Sequence, residues 1–137
     1  MSGSGKGAAA GLANWHRVLA AGNQPADLAA IIAEDAVFHS PVVHTPQAGR
    51  ALVVAYLAAA GQVLNGEHFR YVREFSAGNH ALLEFVTELD GISVNGVDII
   101  TFDDDGMIRD FKVMIRPLKA INKVWEVMAA QLERAAH

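Results

Sequence analysis

The sequence predicts an α+β domain: a curved antiparallel sheet with helices packed on its concave face, plus an extra C-terminal helix. Three observations carry that reading. Apolar residues recur at three- and four-residue steps as far as Leu64. From Phe69 to Arg116 the period changes to two, interrupted by turn sequences. After Pro117 the helical period returns and runs to the end of the chain.

The elements follow in order. Residues 1–7, Met-Ser-Gly-Ser-Gly-Lys-Gly, read as a flexible tail, and residues 8–137 as a single domain. Leu12, Trp15, Val18 and Leu19 form the apolar face of a first helix, which Gly22 stops. Asn23 is placed to cap a second, shorter helix with Pro25 in its first turn and Leu28, Ile31 and Ile32 on one face. Glu34-Asp35 breaks that pattern, and Ala36–Ser40 reads as a short strand ended by Pro41. The stretch from Pro41 to Gly49 is a loop. A longer helix then presents Leu52, Val53, Tyr56, Leu57, Ala60, Val63 and Leu64, ending at Asn65-Gly66.

Phe69, Tyr71 and Phe75 alternate with His68, Arg70 and Glu74 in the first strand of a meander. Gly78-Asn79 turns into a strand with Ala81, Leu83, Phe85, Thr87 and Leu89 on one face. Asp90-Gly91 is a hairpin signal, and Val97–Phe102 is the next strand, with a bulge or kink expected at Asn95-Gly96. Asp103 to Gly106 closes another hairpin before Ile108–Arg116, which turns Phe111, Val113 and Ile115 to one face. In the last helix, residues 117–137, Leu118, Ile121, Trp125, Met128 and Leu132 form a stripe too apolar to leave in water. It is expected to dock through Trp125 and Met128.

Composition narrows the functional classes. A chain of 137 residues buries roughly 65–70% of its unfolded surface, enough for a substantial core. Hydrophobic residues make up 52% and charged residues 19%, which leaves little room for long disorder. The absence of cysteine removes disulfides, thiolate chemistry and cysteine-ligated zinc, and fits a cytoplasmic location. Net charge is −4 and the basic residues are scattered, so no nucleic-acid partner is expected. No apolar run is long enough to span a membrane, and the N-terminal residues lack the apolar stretch of a signal peptide.

The order of elements resembles that of the SnoaL-like, nuclear-transport-factor-2-like superfamily. Glu34 to Pro41 looks like that family's acidic helix end, short strand and proline. Gly49-Arg50 opening a helix, and Gly96-Val97-Asp98-Ile99-Ile100 followed by Asp103-Asp104-Asp105-Gly106, are further points of likeness, together covering residues 10–116. The resemblance implies a cone around one internal hydrophobic pocket, a small apolar ligand, no cofactor, and a homodimer formed through the outer sheet face. On that face Val97, Ile99 and Met114 would lie beside Glu84, Lys112 and Arg116. It also implies an alignment with the ketosteroid isomerases, which pair a carboxylate base with an oxyanion hole of tyrosine and protonated aspartate. Asp98 falls on the oxyanion aspartate, Ser40 where the base would be, and Trp15 at or beside the tyrosine. One of three catalytic positions is kept, which argues against a standard ketosteroid isomerase. The Asp-Arg-Asp set of limonene epoxide hydrolases is incomplete, with Gly96 in place of arginine, and the histidine-rich strand of polyketide cyclases is not evident.

Asp98 is the candidate catalytic residue: a lone acid in an apolar strand is either desolvated and protonated in a pocket or paired structurally. Candidate ligand contacts are Trp15, Phe38, Ser40, His44, Tyr56, Phe85, Phe102, Val113 and Ile115, any of which could equally be core or, for His44, solvated loop. Phe38 and Ser40 share a strand face, so His39 points away. His39 and His44 lack the converging acids a metal would need, so no metal site is assigned. Arg116 with Glu84 and Glu88 reads as outer-face ion pairing. Gly3-Ser4-Gly5-Lys6-Gly7 fails as a phosphate loop because no strand precedes it, and the Asp103–Gly106 segment fails as a calcium loop because Lys112 would stand at its last ligand position. Three readings remain open: an isomerase-, cyclase- or hydratase-like enzyme using Asp98, a non-catalytic binder of a hydrophobic metabolite, and a homodimeric interaction module.

Overall fold

The computed structural model describes residues 7–136. Most of the proposed tail, residues 1–6, and the phosphate-loop reading of that segment lie outside the described residues, as does His137. Gly7 is instead the first residue of helix α1 (Gly7–Ala20), where its N–H donates to the side chain of Asn79, 2.9 Å away. That helix buries Leu12, Trp15 and Val18. Gly22 ends it in the left-handed region at φ 93.

Helix α2 (Pro25–Ile31) is capped by Gln24 without a side-chain bond. Asn23, expected as the cap, has φ 53 and sends its amide inward to the carbonyl of Leu57 at 3.0 Å. Strand β1 (Ile32–His39) starts four residues before the expected Ala36, and Glu34 and Asp35 lie within it. An exposed pair of acids interrupts an apolar pattern without interrupting a strand. β2 (Gln47–Ala48) is a short hairpin partner of β1 within the expected loop.

Helix α3 (Arg50–Leu64) buries Val53, Leu57 and Leu64. The meander follows as β3 (Arg70–Ala77), β4 (His80–Leu89), β5 (Ile92–Phe102) and β6 (Ile108–Arg116). Asp90 and Gly91 at φ 50 and 80 make the β4–β5 hairpin turn, as that dipeptide predicts. The six strands form one sheet in the order β2-β1-β6-β5-β4-β3. The sheet is mixed rather than wholly antiparallel, because β1 lies parallel to β6. The long excursion through α3 and the meander between those two strands makes a parallel return possible.

Two details of register depart from the sequence reading. β5 runs unbroken through Asn95 and Gly96, which pair in step with Val86 and Phe85. Gly96 is there for space: a Cβ would come within 2.4 Å of the Phe85 ring and 2.8 Å of the Met114 carbonyl oxygen. An irregularity sits instead in β3, between Tyr71 and Arg73. It puts Phe75 on the outer face, 59% exposed, although Phe75 and Tyr71 share a face by simple alternation.

Helix α4 (Leu118–Ala136) packs on α3 and the sheet through fully buried Ala120 and Val124. Trp125 is 60% exposed, so the expected docking through Trp125 and Met128 is corrected: Val124 takes Trp125's place and Met128 is partly buried. A stripe read at three- and four-residue steps leaves the helix rotation uncertain by one position, and here the smaller neighbour faces inward. The outer-face ion pair also differs from expectation. Glu84 pairs with Arg73, while Arg116 bonds the side-chain oxygen of Asn95 at 2.8 Å.

Candidate functional site

The concave face of the sheet and the helices above it enclose two adjoining spaces. The outer one is an apolar groove of about 130 Å³ running under α4. Phe38, Ser40, Tyr56, Val113 and Ile115 line it from the body of the domain, and Val124, Trp125, Met128 and Leu132 line it from α4. The inner one is a cavity of about 30 Å³ bordered by Trp15, Tyr71, Phe85, Asp98, Phe111 and Val113. Ala60, Leu64 and Val113 belong to the walls of both. The two spaces therefore adjoin along these three apolar side chains.

Asp98 is buried, 6% exposed, on the inward face of β5. Two strands away, Tyr71 on β3 also turns inward, and the curvature of the sheet lets its hydroxyl reach over β4. That hydroxyl donates to Asp98 Oδ2 at 2.6 Å. The indole Nε1–H of Trp15, from α1, donates to the Tyr71 oxygen at 3.0 Å. The three side chains form a relay from helix to strand to strand. Aromatic packing surrounds it: Trp15 meets Phe111 edge-on at 5.0 Å, and Phe69 meets Tyr71 edge-on and stacks on Phe85.

Burial dominates the electrostatics. Desolvation raises the Asp98 carboxyl from its ordinary 3.8 to about 7, although the Tyr71 hydrogen bond pulls the other way. Tyr71 is held well above its ordinary value, first by burial and then by the Asp98 charge. Asp98 therefore exchanges its proton near neutrality, while Tyr71 stays a donor. Asp98 Oδ1 has no hydrogen-bond partner among the described residues. Asp98 is also the one carboxylate lining either space among those residues.

The sequence-derived candidates divide between these places. Trp15, Phe85 and Asp98 border the inner cavity, Val113 borders both spaces, and Phe38, Ser40, Tyr56 and Ile115 border the groove. The Ser40 hydroxyl accepts from the Val42 N–H at 3.1 Å, shaping the loop at the groove mouth. Two candidates lie elsewhere. Phe102 is buried against Gly11 of α1, away from both spaces, because it ends β5 beyond the pocket. His44 is exposed in the loop, whose Val42 and Val43 reach the groove instead. His39 bonds Asp110 at 2.8 Å and takes no part in the site. Among the described residues no cluster of side chains is arranged to hold a metal. Tyr71 is the residue sequence reasoning missed. Its inward face was readable from alternation with Phe69, but its bond to Asp98 crosses an intervening strand.

The SnoaL-like domain family matches residues 12–111. None of the curated proteins matches the chain. Among solved structures, a steroid delta-isomerase from Pseudomonas aeruginosa is 36% identical, with a TM-score of 0.88 over 96% of this chain and 95% of that one. A protein with a cystatin-like fold from Silicibacter pomeroyi DSS-3 is 34% identical, with a TM-score of 0.81 over 88% and 84%. An NTF2-like protein of unknown function from Mesorhizobium loti, 24% identical with a TM-score of 0.68 over 82% and 93%, shares the fold. With a family match over most of its length and near-complete superposition on relatives above 30% identity, the chain belongs to the SnoaL-like family.

Proposed function

We propose that this protein binds a small, largely apolar ligand with a carbonyl or hydroxyl oxygen directed at Asp98, and that Asp98 moves a proton on that ligand. The observation that carries this reading is one buried carboxyl, titrating at about 7, in a small cavity that adjoins an apolar groove. A general acid–base group works best when its pKa lies near the working pH. The groove supplies apolar area for the ligand body, and Asp98 in its protonated form donates to the ligand's oxygen while its Oδ2 accepts from Tyr71.

An isomerisation is the simplest chemistry such a site supports. In its ionised form Asp98 takes a proton from the carbon between a carbonyl and a double bond. The electron pair moves into a dienolate, and the carboxylic acid so formed donates to the dienolate oxygen. Return of the same proton to the far carbon gives the conjugated ketone, so no co-reactant is consumed. The 36% identity to a protein described as a steroid delta-isomerase supports a ketone of this class. The test is conversion of a β,γ-unsaturated ketosteroid, followed by absorbance of the conjugated product. Turnover abolished in Asp98→Asn would support the reading; wild-type inactivity with tight binding would leave a binding protein. That second reading is favoured by Ser40, which stands where the resemblance places a separate base.

A further inference from the structure

We propose that Asn23 and Asn65 form a second polar subsite on the helical wall of the Asp98 cavity, and that it selects ligands bearing a hydroxyl close to the oxygen read by Asp98. This inference rests on the reading of Asp98 as the ligand's polar anchor.

Both side chains border the inner cavity together with Asp98 and Tyr71. Asn23 is 4% exposed. Its Nδ2 donates to the Leu57 carbonyl at 3.0 Å. A carbonyl only accepts, so that bond fixes the amide's orientation and leaves Oδ1 as the free end. That Oδ1 is fully buried and has no partner. Asn65, which follows the last turn of α3, has a buried Nδ2 that is likewise unpartnered. One wall thus offers an acceptor and a donor, both removed from water.

The surrounding backbone makes room for this arrangement. A Cβ at Gly61 would come within 2.7 Å of Asn23 Cβ and 3.0 Å of its Nδ2, so α3 carries glycine where Asn23 presses against it. Gly61 and Asn65 are four residues apart on the same helix face, and the Asn65 N–H bonds the Gly61 carbonyl at 3.3 Å. Both asparagines thus meet α3 at Gly61, Asn23 by contact and Asn65 through its backbone bond. Buried polar groups are ordinarily satisfied, and two orphans bordering one cavity point to a group that completes both.

A hydroxyl meets the requirement, because one oxygen donates to Asn23 Oδ1 while accepting from Asn65 Nδ2. The cavity of about 30 Å³ is small, so this hydroxyl and the oxygen at Asp98 must sit on adjacent or nearly adjacent carbons. The ligand class is a hydroxy ketone whose apolar remainder extends past Ala60, Leu64 and Val113 into the groove.

Two probes that differ in one group test this: α-hydroxyacetophenone and acetophenone, titrated into the full chain by calorimetry or NMR. The wild type is expected to bind the hydroxy ketone about tenfold more tightly. Asn65→Ala is expected to bring the hydroxy ketone down to the affinity of the plain ketone. Asn23→Ala should do the same, but it also loses the Leu57 bond, so Asn65→Ala decides the matter if Asn23→Ala fails to fold. Equal affinities in the wild type, with both weakened by Asp98→Asn, would overturn the subsite and leave the Asp98 anchor standing. A preference that survives Asn65→Ala would overturn it too. If neither ketone binds, the anchor falls and the subsite with it.

Discussion

Asp98→Asn should change how stability depends on pH, and the size of that change follows from burial. In the folded protein the Asp98 carboxyl titrates at about 7, against an ordinary value of 3.8. Between those values the folded state holds a proton that the unfolded chain has released, so stability falls as pH rises through this window. The full span is about three pH units, or about 4 kcal/mol. Between pH 5 and pH 8 the expected part is about 2.5 kcal/mol. Asparagine keeps the shape and never ionises, so the variant escapes this loss. Other carboxylates titrate as well, but they contribute equally to both proteins and cancel in the difference. Urea unfolding of wild type and variant at the two pH values is the assay. The variant should gain about 2.5 kcal/mol relative to wild type on going from pH 5 to pH 8. A difference that stays flat, or a carboxyl NMR titration centred near 4, would refute the assignment of Asp98 as a desolvated acid.

Three further outcomes are expected. Val124→Ala should lower stability by about 1–3 kcal/mol, because Val124 is 2% exposed. Trp125→Ala, at a 60% exposed position, should change stability by less than about 1 kcal/mol yet weaken ligands that fill the groove; thermal unfolding and titration of both variants separate the two effects. Gly96→Ala should cost about 1–3 kcal/mol, since its methyl would meet the Phe85 ring and the Met114 carbonyl, and unchanged denaturant midpoints would show that β5 yields easily. We also propose a homodimer through the outer sheet face, where Leu82 and Ile99 lie opposite each other, Val97 lies beside Met114, and Arg73, Glu84 and Lys112 surround them. Light scattering should give twice 14.6 kDa, with Met114→Glu reducing it, and a monomeric wild type at micromolar concentration would reject the proposal.

The fold was legible where the chemistry is local. Periodicity and turn residues mark α1, α3, β4, the Asp90-Gly91 hairpin and β6, because each depends on neighbours within a few residues. What could not be read depends on contacts between distant segments. Gly96 looks like a kink until the Phe85 ring on the adjacent strand explains the missing side chain. Phe75 looks inward until the β3 irregularity turns it out. The parallel pairing of β1 with β6 has no local signature at all.

The site divides along the same line. Asp98 stands out in sequence because an acid between Val97 and Ile99-Ile100 contradicts its surroundings, and such contradictions mark function or strain. Tyr71 and Asn23 contradict nothing: a tyrosine suits a strand, and an asparagine beside Gly22 suits a helix cap. Each acquires meaning from a partner 27 or 34 residues away, Asp98 for Tyr71 and Leu57 for Asn23. Their roles also differ in kind from the one visible in sequence. Asp98 alone could be a structural acid, and a structural acid would be expected to meet a cation. Instead it meets a hydroxyl that is itself held by an indole, in a cavity also bordered by two buried atoms without a protein partner, Asn23 Oδ1 and Asn65 Nδ2. A carboxyl satisfied by a neutral donor keeps its raised pKa, whereas an ion pair would have lowered it. Burial is thus what makes Asp98 available for proton exchange near neutral pH, and the Tyr71 hydroxyl lowers its pKa without cancelling that effect.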